Sequence, residues 1–396
     1  MFVPGSSGAP VAFMTELLAD RAYSRDVHLL TTFVPGINAL HSEMMHASAT
    51  ITGLFMQSGL SCAQRDGRFR ALPLSYAGFV RHLRERINID LAVLQVSMPD
   101  DNGQCSLGPS VEFAPVALTK SRRRLALLNR NTPALKNSVS LPYTSFDYVC
   151  EVDSPLPTYE TAVDESTLLI ARHIASLVED HSVLQLGLGK VPSALSALLI
   201  DRRGLRLYSG MLSDGLFDLA DGGALDMDFL HTACVLVGSQ GFYRRLDKFE
   251  SIRVVGCDVT HDEVKIGRQQ QFVAVNSALE VDLFGQCNLE HADGLAVSGV
   301  GGGPDFARGA RLSRGGRSIV ALSARHKSGS RIVASLGSPS VTSLPRYDID
   351  YVITEYGIAD LVGASVHERA HAIINIAAPD FREELGREWN GLAARL

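Results

Sequence analysis

Long apolar runs and clustered cysteines are missing from this 396-residue chain, and dense basic stretches are reduced to one. A helix spanning a bilayer needs about eighteen or more consecutive apolar residues, and no such run exists, so no membrane segment is expected. The start, Met1-Phe-Val-Pro-Gly5, has neither the basic leader nor the apolar core of a secretory signal. Net charge is −6 and the basic residues are scattered, which argues against a nucleic-acid footprint. The one dense basic run, Lys120-Ser-Arg-Arg-Arg124, reads as a solvated loop or helix end rather than a phosphate patch. The cysteines Cys62, Cys105, Cys150, Cys234, Cys257 and Cys287 are widely separated, with no CxxC or Cys/His spacing. Buried reduced thiols, no metal site and a cytoplasmic setting are the expectation.

What is there suits a globular protein: 46% hydrophobic and 20% charged residues, in a chain long enough for two or three domains. Val27–Phe33, Leu91–Val96, Val183–Leu186, Ser318–Leu322 and Tyr351–Thr354 read as short buried strands alternating with helical stretches. Such alternation predicts parallel sheets covered by helices on both faces. The halves also echo one another. Gly8-Ala-Pro10 opens a helix as Lys190-Val-Pro192 does, and Gly103-Gln-Cys105 follows the first proline at the distance by which Gly285-Gln-Cys287 follows the second. At the same offset Asp100 falls on Asp282, Ala12 on Ala194 and Leu17 on Leu199, so a duplicated domain is expected. The fold class predicted is α/β, two similar doubly wound, mainly parallel-sheet domains. They meet at Asp153-Ser-Pro-Leu-Pro157, giving boundaries at 1–157 and 158–396. The stretch from Ser365 to Leu385 is amphipathic and predicts helices on the second domain.

The most informative segment is Leu184-Gln-Leu-Gly-Leu-Gly-Lys-Val-Pro192, followed by Tyr208-Ser-Gly-Met211. Gly187 and Gly189 let the backbone turn tightly beside a ligand. Pro192 is pre-set for a first helical turn, and free N–H groups at a helix start favour an anion or a polarised carbonyl.

This segment resembles the acetyl-CoA hydrolase/transferase family, which includes acetate and 4-hydroxybutyrate CoA-transferases. The same family order recurs in Leu94-Gln-Val-Ser-Met-Pro-Asp100 with Gly103-Gln-Cys-Ser-Leu-Gly108, and in Ala274-Val-Asn-Ser-Ala-Leu-Glu-Val-Asp-Leu-Phe-Gly-Gln286. It continues through Ser298-Gly-Val-Gly-Gly-Gly-Pro-Asp-Phe-Ala-Arg-Gly-Ala310, Val352–Leu361 and Ile376–Glu384. The resemblance implies a CoA-transferase-like duplication and a coenzyme A thioester as substrate, with no bound cofactor. It also implies a small carboxylate as second substrate and a homodimer or higher homo-oligomer. In the family a glutamate between His-Thr and Met becomes a glutamyl-CoA thioester. Here Met211 and Ser213-Asp-Gly215 are kept, while Tyr208, Ser209 and Gly210 stand where the family has His, Thr and Glu. The chain begins on what reads as a strand-to-loop junction, so the family's first elements are expected to be absent.

Candidate site residues follow. The resemblance puts Gly187, Gly189, Lys190, Val191 and Pro192 against CoA or its acyl group. Gly301 and Gly302 join them, and Gly302 is the best match to the glycine whose N–H meets the thioester oxygen. Lys327 lies near a family lysine that touches CoA, and the alternative is solvated surface. Glu280, in an apolar stretch, is a candidate substitute base; its counterpart exists in relatives that have their own glutamate, which favours a structural role. His261, beside Asp262 and Glu263, stands where relatives carry an asparagine segment. It can activate water, and the plainer reading is an exposed turn. Asn129-Arg-Asn-Thr-Pro133 departs from the family's loop bordering the acyl pocket, which implies a different acyl group.

Three functions stay open from sequence. One is a CoA-thioester enzyme working by an altered route, as transferase or as hydrolase of a thioester or carbon–carbon bond. The second is a non-catalytic acyl-CoA-binding homologue. The third, an unrelated nucleotide-binding protein, is disfavoured by the ordered motifs.

Overall fold

The computed structural model describes residues 1–396. Seven strands form the first sheet: β1 (Phe2–Val3), β2 (His28–Thr31), β3 (Thr50–Gly53), β4 (Phe69–Ala71), β5 (Ile89–Val96), β6 (Ser121–Asn129) and β7 (Tyr148–Val152). Their order is β4-β3-β2-β1-β5-β6-β7, with every pairing parallel. A parallel strand buried on both faces is mainly apolar, as Val93, Leu94 and Val96 show in β5. The second sheet contains β8 (Val183–Gln185), β9 (Arg206–Leu207), β10 (Phe272–Ser277), β11 (Arg317–Ala321), β12 (Tyr351–Thr354) and β13 (Gly357–Asp360). Their order is β9-β8-β10-β11-β12-β13, parallel except for the final hairpin.

The duplication is visible in this topology. The run β2-β1-β5-β6-β7 has the same connectivity as β9-β8-β10-β11-β12, and helix Val11–Ala19 follows β1 as helix Lys190–Leu198 follows β8. Between Val152 and Glu165 lies a segment with no helix or strand, containing the two linker prolines. The C-terminal stretch forms helices Val366–Asn375 and Arg382–Ala393. No helix is long and apolar enough to cross a membrane.

Two expectations need correction. Lys120 does end a helix, but Arg122, Arg123 and Arg124 open β6. Arg122 and Arg123 project to ion pairs with Asp90 and Asp147. The cysteines are not uniformly buried either: Cys150 is exposed and Cys62 half-buried, while Cys234 and Cys257 touch, Sγ to Sγ 3.6 Å.

The two sheets share one core that runs from Phe2 to Ile353. At the junction, Leu236 N–H donates to Pro109 O (2.7 Å) and Met56 N–H to Ser298 O (3.2 Å). Gly299 lies so close to Leu54 that an added β-carbon would stand 2.0 Å from its carbonyl oxygen. The segment around Leu236 and the loop at Ser298 and Gly299 are thus pressed against the first domain, and the glycine loops lie at the carboxyl ends of parallel strands, where open sheets bind ligands.

Candidate active site

β8 delivers the glycine loop. Gly189 has φ +126°, a backbone that L side chains rarely adopt, and an added β-carbon at Gly187 would meet nothing within 4 Å. Lys190 starts the following helix, with its ammonium 2.6 Å from Asp164 and exposed. Val191 is half-buried, and Pro192 lies buried in the first turn.

After β9 the chain places three residues in alternating directions. Tyr208 is buried and its hydroxyl donates to Val259 O (2.7 Å). Ser209 donates to the carbonyls of Leu186 and Met211, tying this strand to the glycine loop. Gly210 is held by its carbonyl, which accepts from Cys234 N–H and Cys234 Sγ–H, both at 3.0 Å.

His261 fills the space a side chain at position 210 would need. A β-carbon built on Gly210 would stand 3.2 Å from Nε2, and one built on Gly302 would stand 2.3 Å from the same atom. The exposed-turn reading of His261 is therefore wrong: the ring is 1% exposed, between Tyr76 (centroids 4.8 Å apart) and Phe306 (4.7 Å). Only its neighbour Asp262 behaves as a turn residue, accepting from Val264 and Lys265 N–H to cap a short helix. Thr260 Oγ1 lies 2.9 Å from Nδ1 and gives its own proton to Gly256 O at 3.4 Å. Nε2 is the ring nitrogen that lies against Gly210 and Gly302. Burial pushes the imidazole's pKa down to about 3, so the ring is neutral.

Gly302 caps helix Gly303–Leu312, whose first N–H groups are free of intrahelical partners. Gly301 has φ +58° and its carbonyl accepts from Tyr76 N–H (3.2 Å). Asp305, in the first turn, reaches across the domain junction. It accepts from Ser75 Oγ (2.6 Å) and Ala77 N–H (3.1 Å), capping helix Tyr76–Arg86. Burial raises its pKa to about 6.

Gly210, His261 and Gly302 thus converge from three separate loops on one point. Comparison with known proteins identifies the setting. Residues 1–158 match the acetyl-CoA hydrolase/transferase N-terminal domain, and residues 238–389 match the C-terminal domain. The chain belongs to this family. It is 31% identical to a 4-hydroxybutyrate coenzyme A transferase of Clostridium kluyveri, over 96% of this chain and 91% of that one. An acetyl-CoA hydrolase of Kluyveromyces lactis is 26% identical over 78% of this chain and 67% of that one. Among solved structures, RipA from Yersinia pestis superposes with a TM-score of 0.88 at 27% identity, covering 99% of this chain and 94% of that one. The 4-hydroxybutyrate CoA-transferase of Porphyromonas gingivalis gives 0.79 at 26% identity, covering 100% and 94%. The motif resemblance and the two-domain CoA-transferase fold both stand on these matches.

Other candidates are not drawn into the convergence. Glu280 Oε2 accepts from Asn288 Nδ2 (2.8 Å) and Ser340 Oγ (2.6 Å), which commits it to its own small sheet. Lys327 sits on an exposed hairpin, 2.9 Å from Asp293. Asn129 is buried and bridges Gln95 and Ser154 O. Sequence reasoning missed Asp305, Tyr76 and the pair Cys234–Cys257. Asp305 carried one signal, an acid immediately after Gly-Gly-Gly-Pro. The others carried none, because their partners lie in other segments of the chain.

Proposed function

We propose that this protein hydrolyses a CoA thioester. One observation carries the reading: the polar atom facing the Gly302 helix start beside position 210 is an imidazole Nε2, where the motif resemblance puts a carboxylate. A ping-pong transferase needs a carboxylate to hold the acyl group, and residue 210 offers no side chain. Hydrolysis needs only an oxyanion donor and a positioned water. In this reading the Gly302 N–H is the donor that meets the negative charge developing on the thioester oxygen. Water held on the His261 side attacks the carbonyl carbon. The carbon–oxygen bond forms, the carbon–sulfur bond breaks, one water proton ends on the departing CoA sulfur, and the other is released as the product ionises to a carboxylate. Gly187, Gly189, Lys190 and Lys327 belong to the same proposal as groups lining the CoA path. So do a cytoplasmic setting and a homo-oligomeric state.

The test is free-thiol release from a panel of acyl-CoAs, with and without acetate or succinate. The hydrolase reading expects release without an acceptor and its loss in His261→Ala. Release that requires an acceptor would make the protein a transferase. CoA-dependent thermal stabilisation with no turnover would make it a binding homologue.

A further inference from the structure

Two of the cysteines become neighbours of His261 only in the fold. Cys257 opens the short helix Cys257–Thr260, and His261 follows one turn later, its N–H donating to Cys257 O (3.0 Å). Cys and His four residues apart thus share one helical face. Cys234 arrives from a preceding segment of the chain, fixed by its N–H to Gly210 O and by its carbonyl, which accepts from Val111 N–H (3.0 Å). Cys257 N–H donates to Glu112 O (2.7 Å). All three side chains are buried, and their donor atoms lie within 4.8 Å of one another.

We propose that Cys234, Cys257 and His261 bind one divalent cation of the zinc type. The donor set is two thiols and an imidazole, borderline-soft ligands that suit zinc, and two thiolates neutralise the dication inside the core. The spacing is already near that of an assembled site. Two thiolates each about 2.3 Å from a tetrahedral zinc stand roughly 3.8 Å apart, close to the sulfur–sulfur distance found here. Thr260 Oγ1 on Nδ1 supplies the second-sphere partner that fixes a ligating ring and leaves Nε2 to coordinate. Cys257 and His261 also line a cavity of about 330 Å³ together with Ala77, Val80, Arg84 and Glu263.

Three protein ligands leave a fourth position of a tetrahedral site for an exogenous ligand. A water there would be acidified. This deepens the hydrolase reading, on which it rests for its chemistry, by naming what activates the water. The metal site itself stands or falls separately.

The full chain, purified without chelator, is expected to carry about one zinc per chain by mass spectrometric metal analysis. Cobalt replacement is expected to give the near-ultraviolet thiolate charge-transfer band and the visible bands of a tetrahedral centre. Cys234→Ser, Cys257→Ser and His261→Gln should each lose at least tenfold in zinc affinity, and the exposed-thiol variant Cys150→Ser none. Circular dichroism separates lost ligands from lost fold, and for any variant that fails to fold, the cobalt spectrum of the unaltered chain decides alone. No stoichiometric metal and no cobalt bands would overturn the proposal, as would an oxidised Cys234–Cys257 pair that takes up no metal. Acceptor-independent thiol release surviving complete metal removal overturns the metal's role and leaves the hydrolase reading standing. Bound zinc without any thiol release does the reverse.

Discussion

Gly210 and His261 occupy one shared space: a β-carbon on the glycine would lie 3.2 Å from Nε2 and 3.3 Å from Cε1 of the imidazole. Each residue's identity therefore constrains the other's. Installing the family carboxylate by Gly210→Glu alone crowds the ring and should cost about 1–3 kcal/mol of stability. His261→Ala in the same chain should recover most of it. Urea unfolding of the two single variants and the double variant measures the coupling, and simple additivity would show that the two residues do not compete for space.

Gly302 is under a tighter form of the same constraint, since a β-carbon there would meet Nε2 at 2.3 Å and Cδ2 at 2.5 Å. Gly302→Ala should displace the imidazole and lower stability by about 3 kcal/mol, more than Gly210→Ala, which meets only near-contact distances. Comparing the melting temperatures of the two alanine variants checks the order.

Asp305 clamps the helix Gly303–Leu312 to the first domain through Ser75 and Ala77. Asp305→Ala leaves the half-buried Ser75 hydroxyl and the Ala77 N–H without their acceptor and should cost about 1–3 kcal/mol. Because Tyr76 N–H also holds Gly301 O, the loss should spread to the glycine loop. Hydrogen exchange is expected to rise together at residues 75–79 and 299–303. A rise confined to the first segment would mean the loop is held independently.

Acid stability should depend on His231, which burial holds at a pKa of about 4. Its Nδ1 accepts Leu207 N–H at 3.1 Å, and a protonated ring loses that acceptor. An unfolded histidine titrates near 6.5, so between about 6.5 and 4 the unfolded chain binds more protons than the folded one. The contribution is present above pH 6.5 and is lost on acidification, about 2–3 kcal/mol by pH 4. His231→Asn is expected to show a shallower fall in urea midpoint between pH 7.5 and 4.5 than the unaltered chain. Equal slopes would exclude His231 as the source.

Lys190 and Lys327 are exposed and paired only to Asp164 and Asp293. Exposed pairs of this kind add little to stability, so Lys190→Ala and Lys327→Ala should melt with the unaltered chain. If these lysines meet CoA phosphates, the variants should bind CoA roughly threefold to tenfold more weakly, with a smaller salt dependence. Calorimetric titration at two salt concentrations reads both effects.

Five of the sheet strands, the glycine loops, the duplication and the family were legible in the sequence. Each is written locally: apolar runs such as Leu91–Val96 become buried parallel strands, and Gly189 takes a conformation other residues avoid. Lys120–Arg124 misled because a strand's polar first half looks like a solvated run until its neighbours at Asp90 and Asp147 are known. The surroundings of position 210 became legible only through tertiary packing. His261 reads as a turn residue beside two acids, and it is buried because Tyr76 and Phe306 arrive from distant segments to cover its ring. Cys234 and Cys257 meet because their two segments are both packed against the loop around Glu112. Such contacts are fixed by packing between segments far apart in sequence, and no local pattern in the chain encodes them.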